Sequence, residues 1–122
     1  MKNLILTVVI LLTLNYSFGQ TANIAVCSSK SSLIQGKDKG IFEIKMPDNL
    51  SKEDIDKYAQ YYVNAFKVSF DATSHVVTIN MVENNSSNRR VILRFLSANQ
   101  IQNVIVEGKT YVVSDFYEVF LK

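Results

Sequence analysis

The sequence predicts an α+β domain that alternates its elements as strand, helix, strand, strand, helix, strand, with a tail. Three stretches carry that expectation. IFEIKM at 41–46 alternates apolar and polar residues, KEDIDKYAQYYVNAF at 52–66 repeats apolar residues every three or four, and KVSFDATSHVVTINMV at 67–82 holds two alternating runs around a polar turn. One domain is all the length allows.

The chain opens with three parts of a secretory signal: Lys2, the uncharged run LILTVVILLTL at 4–14, and Ser17-Phe18-Gly19. Cleavage after Gly19 would leave Gln20 first, so residues 1–19 are set aside as a signal peptide and the chain is expected to be exported, periplasmic or extracellular. The run of eleven is well short of the ~20 residues of a spanning helix, so no stable membrane anchor is expected after cleavage. Cys27 follows Val26, not a small residue, which does not fit a lipid-anchored start. Without Lys2 the formal charge falls from +2 to +1, a balance that points neither to nucleic acid nor to an acidic membrane. A single cysteine closes no internal disulfide, so stability has to come from packing.

Residues 20–40 are rich in Ser, Lys, Gly and Asp, with one apolar island at Ile24 to Val26. They read as a flexible N-terminal leader, at most with one short added strand. The folded domain is expected over 41–122. Its first strand buries Phe42, Ile44 and Met46, and Pro47 ends the pairing. Ser51 caps the first helix, Glu53, Asp54 and Asp56 complement its dipole, and Ile55, Tyr58, Ala59, Tyr62, Val63 and Phe66 form its apolar stripe.

In the hairpin Val68 and Phe70, then Val77, Ile79 and Met81, face inward, and residues 71–74 supply the turn. The second helix is expected over 89–98, with Ile92, Phe95 and Leu96 on one face, after a loop of candidate caps at 84–88. Val104 to Val106 make a last core strand, residues 107–109 turn the chain, and residues 111–113 pair back. Ser114 then caps a short C-terminal helix carrying Phe116, Tyr117, Phe120 and Leu121. Right-handed crossovers put both main helices on one face of an antiparallel sheet, the ferredoxin-like βαββαβ arrangement.

The opposite face should then carry Ile41, Glu43, Lys45, Lys67, Ser69, Asp71, Val76, Thr78 and Asn80. Ferredoxin-like RNA binders stack bases on aromatic side chains there, and these strands offer none, so nucleic-acid binding is not expected. The mixed list reads as a solvated face, with sheet edges as the alternative for docking.

This order, and above all the hairpin Val68-Ser69-Phe70-Asp71 with Val76-Val77-Thr78-Ile79, resembles the heavy-metal-associated domains of copper chaperones and metal pumps. The resemblance implies a Met-x-Cys-x-x-Cys metal loop after the first strand. Here that loop reads Met46-Pro47-Asp48-Asn49-Leu50-Ser51, with Asp48 and Ser51 where the two cysteines would stand. A carboxylate and a hydroxyl do not replace two thiolates for soft Cu(I), so no metal site and no cofactor is expected. His75, Met46, Met81 and Cys27 are the remaining soft or borderline candidates, and they show no recognised ligand spacing.

No catalytic set stands out: Cys27 with His75 is the one conceivable dyad, and Glu53, Asp54 and Asp56 read as a solvated helix face. Arg89, Arg90 and Arg94 sit at a helix start, where positive charge opposes the dipole, and form a candidate docking patch for an acidic partner or anion. Overlapping N-glycosylation patterns begin at Asn84 and Asn85. The resulting expectation is an exported, non-enzymatic binding or structural domain. The alternative is a copper or zinc trafficking protein with a non-standard site, using Met46, Asp48 or His75 with ligands from a second chain.

Overall fold

Alternating strand residues need one shared apolar side to bury, and the computed structural model, which describes residues 23–122, gives them a single six-stranded sheet. The strands are β1 (Asn23–Cys27), β2 (Ile41–Lys45), β3 (Phe66–Asp71), β4 (Val76–Met81), β5 (Ile101–Val106) and β6 (Lys109–Val112). The helices are α1 (Lys30–Lys39), α2 (Lys52–Ala59), α3 (Ser86–Ala98) and α4 (Val113–Phe116), the last continuing as wider turns over Tyr117–Leu121. The sheet order is β3-β4-β2-β1-β5-β6. The expected signal peptide, residues 1–19, and Gln20 to Ala22 lie outside the described residues.

The α+β class stands, but the sheet is mixed: β1 runs parallel to β5 and antiparallel to β2, and the other pairings are antiparallel. The parallel pair has a simple origin. Residues 23–40, expected to be a leader, supply a strand and a helix, and that strand lies in the middle of the sheet between β2 and β5. Ala25 and Cys27 point to the buried side, next to Val104 and Val106 of β5, while Ile24 and Val26 point to the other.

Helix α1 is hard to read from sequence because KSSLIQGKDK turns inward only Leu33 and Gly36. Its ends carry the fold signals instead. Ser29 accepts the N–H of Ser32, Lys37 and Lys39 sit in the last turn, and Gly40 closes the helix at φ 77° by donating its N–H to the carbonyl of Gly36. Gly36 allows the close approach to β2: a Cβ there would lie 2.6 Å from the carbonyl oxygen of Ile41 and 2.8 Å from the ring of Phe42.

Helix α2 begins as expected, with a reciprocal Ser51 and Asp54 capping box. It ends earlier. The helix stops at Ala59, a tight turn covers Gln60–Tyr62, Val63 is exposed, and Phe66 is the first residue of β3. The three-four spacing ran on by accident into a residue that the sheet buries. Helix α3 starts three residues before the expected position, because Asn85 accepts the N–H of Asn88 and caps it. No side chain caps α4, which starts at Val113, so the expected Ser114 cap is not made.

Ile55 of α2 and Ile92, Phe95 and Leu96 of α3 share one core with Phe42, Ile44, Val77, Ile79, Val104 and Val106. Phe66 and Phe95 meet nearly edge to face at 5.9 Å, with Tyr62 against both. Under β5 and β6 the C-terminal turns close the core, with the Tyr111 and Phe120 rings 5.2 Å apart and Phe116 5.7 Å from Phe120.

Candidate functional site

The loop after β2 is built for folding. Met46 is buried, its N–H bonded to the carbonyl of His75, and the Ser51 hydroxyl and backbone are both engaged with Asp54. Those hydrogen bonds hold the Asp54 carboxyl below its usual range. Asp48 is exposed between them. The register thus brings Met46 and His75 side by side, but Met46 faces the core and the His75 ring lies edge-on to Phe70 at 5.3 Å. Among the described residues, no three His, Cys, Asp or Glu side chains come together as a metal-binding set.

Cys27 is on β1 and His75 in the turn before β4, and β2 lies between β1 and β4 in the sheet. Cys27 is buried, and burial pushes its thiol from 9.0 up to about 12. A thiol held in that state is a core side chain, not a nucleophile poised near neutral pH. His75 takes a left-handed turn conformation at φ 59°.

The three arginines separate. Arg89 is buried and acts as a clamp: its guanidinium donates to the carbonyls of Leu121 and Lys122 and to Asn84 Oδ1, and Asn84 in turn donates to the carbonyl of Lys37. It therefore joins α1, α3 and the C-terminal turns and is withdrawn from any docking patch. Arg90 is exposed and lies over the Tyr117 ring at 5.5 Å, and Arg94 is exposed with no ion pair among the described residues. The charge opposing the dipole at Arg89 is offset by main-chain acceptors.

The nine residues expected on the open face are there, paired across β2, β4 and β3 as Ile41, Asn80 and Lys67, then Glu43, Thr78 and Ser69, then Lys45, Val76 and Asp71. What sequence reasoning missed is the rest of that face. Next to Lys45 comes Val26, next to Val26 comes Ile105, and the adjacent row sets Ile24 beside Asn103 and Val112. Ile24, Val26 and Val112 are 41, 39 and 51% exposed, and Ile105 is partly exposed between them. The alternation of Ile24 and Val26 with Ala25 and Cys27 was the available signal; its meaning depended on β5 lying alongside.

A second feature lies at the end of the sheet, where the start of β1, the loop before α2 and the end of α3 converge on a cleft of about 210 Å³. Asn49 donates to Asn23 Oδ1, and Asn23 donates to the carbonyl of Asn99. Asp54, Tyr58 and Gln100 also line it. Protein-family models, curated proteins and solved structures were compared with the chain, and none matches.

Proposed function

We propose that the chain is a non-enzymatic binding domain that docks a protein partner on the apolar half of its open sheet face. The observation that carries the reading is the contiguous exposure of Ile24, Val26, Ile105 and Val112 on a face that the core leaves uncovered. The neighbouring Asn103 and Thr110 are uncharged, and no aromatic or arginine side chain stands among these six positions. Such a surface suits a partner that is apolar at its centre and hydrogen-bonding at its rim, and it suits neither a nucleic acid nor an acidic ligand.

The finer fold reading belongs here too. Setting aside β1 and the edge strand β6 leaves the order β3-β4-β2-β5, which is that of a ferredoxin-like domain, so we read the chain as such a core with one strand inserted and one added at the edge. The resemblance to heavy-metal-associated domains then concerns the scaffold, while a copper or zinc role finds little support in a buried Met46 and a Ser51 used as a cap. Export rests on Lys2, the apolar run at 4–14 and Ser17-Phe18-Gly19.

The test is a partner isolated on the wild-type chain and then titrated against Val26→Asp and Ile105→Asp on one side and Ser69→Asp and Thr78→Asp on the other. The first pair should weaken binding about tenfold or more, as loss of a central anchor does, and the second about twofold or less. Equal effects from both pairs, or retention on lipid vesicles in place of a protein, would refute the docking face.

A further inference from the structure

We infer that β3 pairs with the β3 of a second copy of this chain, antiparallel and about a two-fold axis at Ser69, so that two sheets join edge to edge. β3 ends the sheet and is paired with β4 alone, in a register without a break. The N–H of Met81 goes to the carbonyl of Gly40 and that of Val82 to the carbonyl of Ala65, so successive residues of β4 turn alternately to β2 and to β3. Lys67, Ser69 and Asp71, opposite Asn80, Thr78 and Val76, therefore direct their N–H and C=O groups to β4. Those of Phe66, Val68 and Phe70 point off the sheet. The strand carries neither a proline nor a bulge to blunt that edge.

The side chains say which strand fits. With the axis at Ser69, Lys67 of each copy stands opposite Asp71 of the other, Val68 opposite Phe70, and Ser69 opposite itself. Val68 and Phe70 then exchange both N–H···O bonds across the join, since both point their ladder groups outward. Moving the axis to Val68 or Phe70 parts the charges, because Lys67 then faces Ser69 or Thr73. Lys67 and Asp71 are exposed, and neither has an ion pair among the described residues. Val68 and Phe70 are partly buried against the core, and the same pair from the other copy would extend their cover. The opposite edge lacks this match: β6 reads KTYV, with Lys109 and no acid, so self-pairing would leave its lysine unanswered. A strand complementary to its own reverse makes every favourable contact twice. The contact is small, so the dissociation constant should lie in the micromolar range. It leaves the apolar half of the open face, across β1, β5 and β6, free in each copy and does not rest on the docking proposed there.

Sedimentation velocity of the purified chain, from micromolar to submillimolar concentration, should show a monomer and dimer in equilibrium. Lys67→Asp and Asp71→Lys, each alone, set like charges opposite each other at both ends of the join and should weaken the dimer about tenfold or more. Mixing the two variants should restore it, because each then meets the opposite charges in the other chain. Ser69→Cys should give a covalent dimer on mild oxidation, since the Cα atoms of such a non-hydrogen-bonded pair stand ~4.5 Å apart. Thr78→Cys, one strand inward on the same face, should not, and the native Cys27 is buried. The cross-link changes no charge, so it reads the register even if Asp71→Lys, which removes the Asp71 bonds to the N–H groups of Thr73 and Ser74, unsettles the hairpin turn. A chain monomeric throughout, a mixture of folded variants no tighter than its components, or equal cross-linking of the two cysteine variants would overturn the pairing. So would a dimer that Val26→Asp breaks and the charge variants do not, which would place the contact on the open face.

Discussion

The two halves of the open sheet face differ in a way that their strands, taken singly, do not announce. Across β3, β4 and β2 the outward-facing residues are Lys67, Ser69, Asp71, Thr78, Asn80, Glu43 and Lys45 with two aliphatics among them; across β1, β5 and β6 they are Ile24, Val26, Ile105 and Val112 with Asn103 and Thr110. The first half is what a solvated face looks like. The second becomes a patch only because a parallel strand pair brings residues about eighty positions apart into adjacent rows. Face character is thus a property of neighbours in space, and β1 is the strand that joins the halves.

The largest effect should come from removing that join. A chain of residues 41–122 would lose Ala25, Cys27 and Leu33 from the core and uncover Val104 and Val106, and the loss should exceed about 4 kcal/mol. Denaturant titration should show no cooperative transition. A fully cooperative 41–122 fragment would mean that the apolar half is an appendage, not a part of the sheet.

A smaller effect sharpens the comparison from beneath. The C-terminal turns support β5 and β6 through Phe116 and Phe120, and Arg89 holds the end of those turns by two hydrogen bonds while a third ties it to Asn84. Arg89→Met should cost about 2–4 kcal/mol, because it leaves the Leu121 carbonyl and Asn84 Oδ1 to find other donors. Arg94→Ala, at an exposed site, should cost no more than about 0.5 kcal/mol. Chemical denaturation of the two variants side by side checks the contrast, and equal losses would argue against the clamp.

The smallest effect concerns Cys27, which lies on the buried side of β1 next to Val26. With its thiol pushed from 9.0 up to about 12, the folded chain keeps a proton that the unfolded chain releases above about pH 9. This contribution is therefore fully present below pH 9 and declines as pH rises towards about 12. Cys27→Ala should lessen the alkaline loss of stability relative to the wild type, measured by melting at pH 8 and pH 10.5. Thiol reagents should label the native protein slowly at neutral pH. Rapid labelling would place β1 outside the sheet.

Much of the fold was legible in local patterns. The alternation in β2, β3 and β4, the Ser51 cap, the α3 stripe and the C-terminal aromatics are each fixed by neighbours two to four residues apart, so periodicity found them. Helix α1 escaped because its inward side is only Leu33 and Gly36, and its true signals, the Ser29 cap and the Gly40 stop, look like loop residues. The same limit applies to the sites. Arginines near a helix start resemble a patch on paper, whereas Arg89 turns inward onto a segment thirty-two residues later.

By itself the sequence determined the α+β class, the strand faces and the lack of a cysteine pair in the loop after β2, since these depend on residue type and short spacing. Tertiary structure alone decided that β1 enters between β2 and β5, that Arg89 is consumed in a clamp, and that Asn23, Asn49 and Asn99 join in one run of hydrogen bonds. The physical reason is common to all three: burial and hydrogen bonding are settled by whichever groups the chain brings together, and long-range pairing leaves no period in the sequence to announce it.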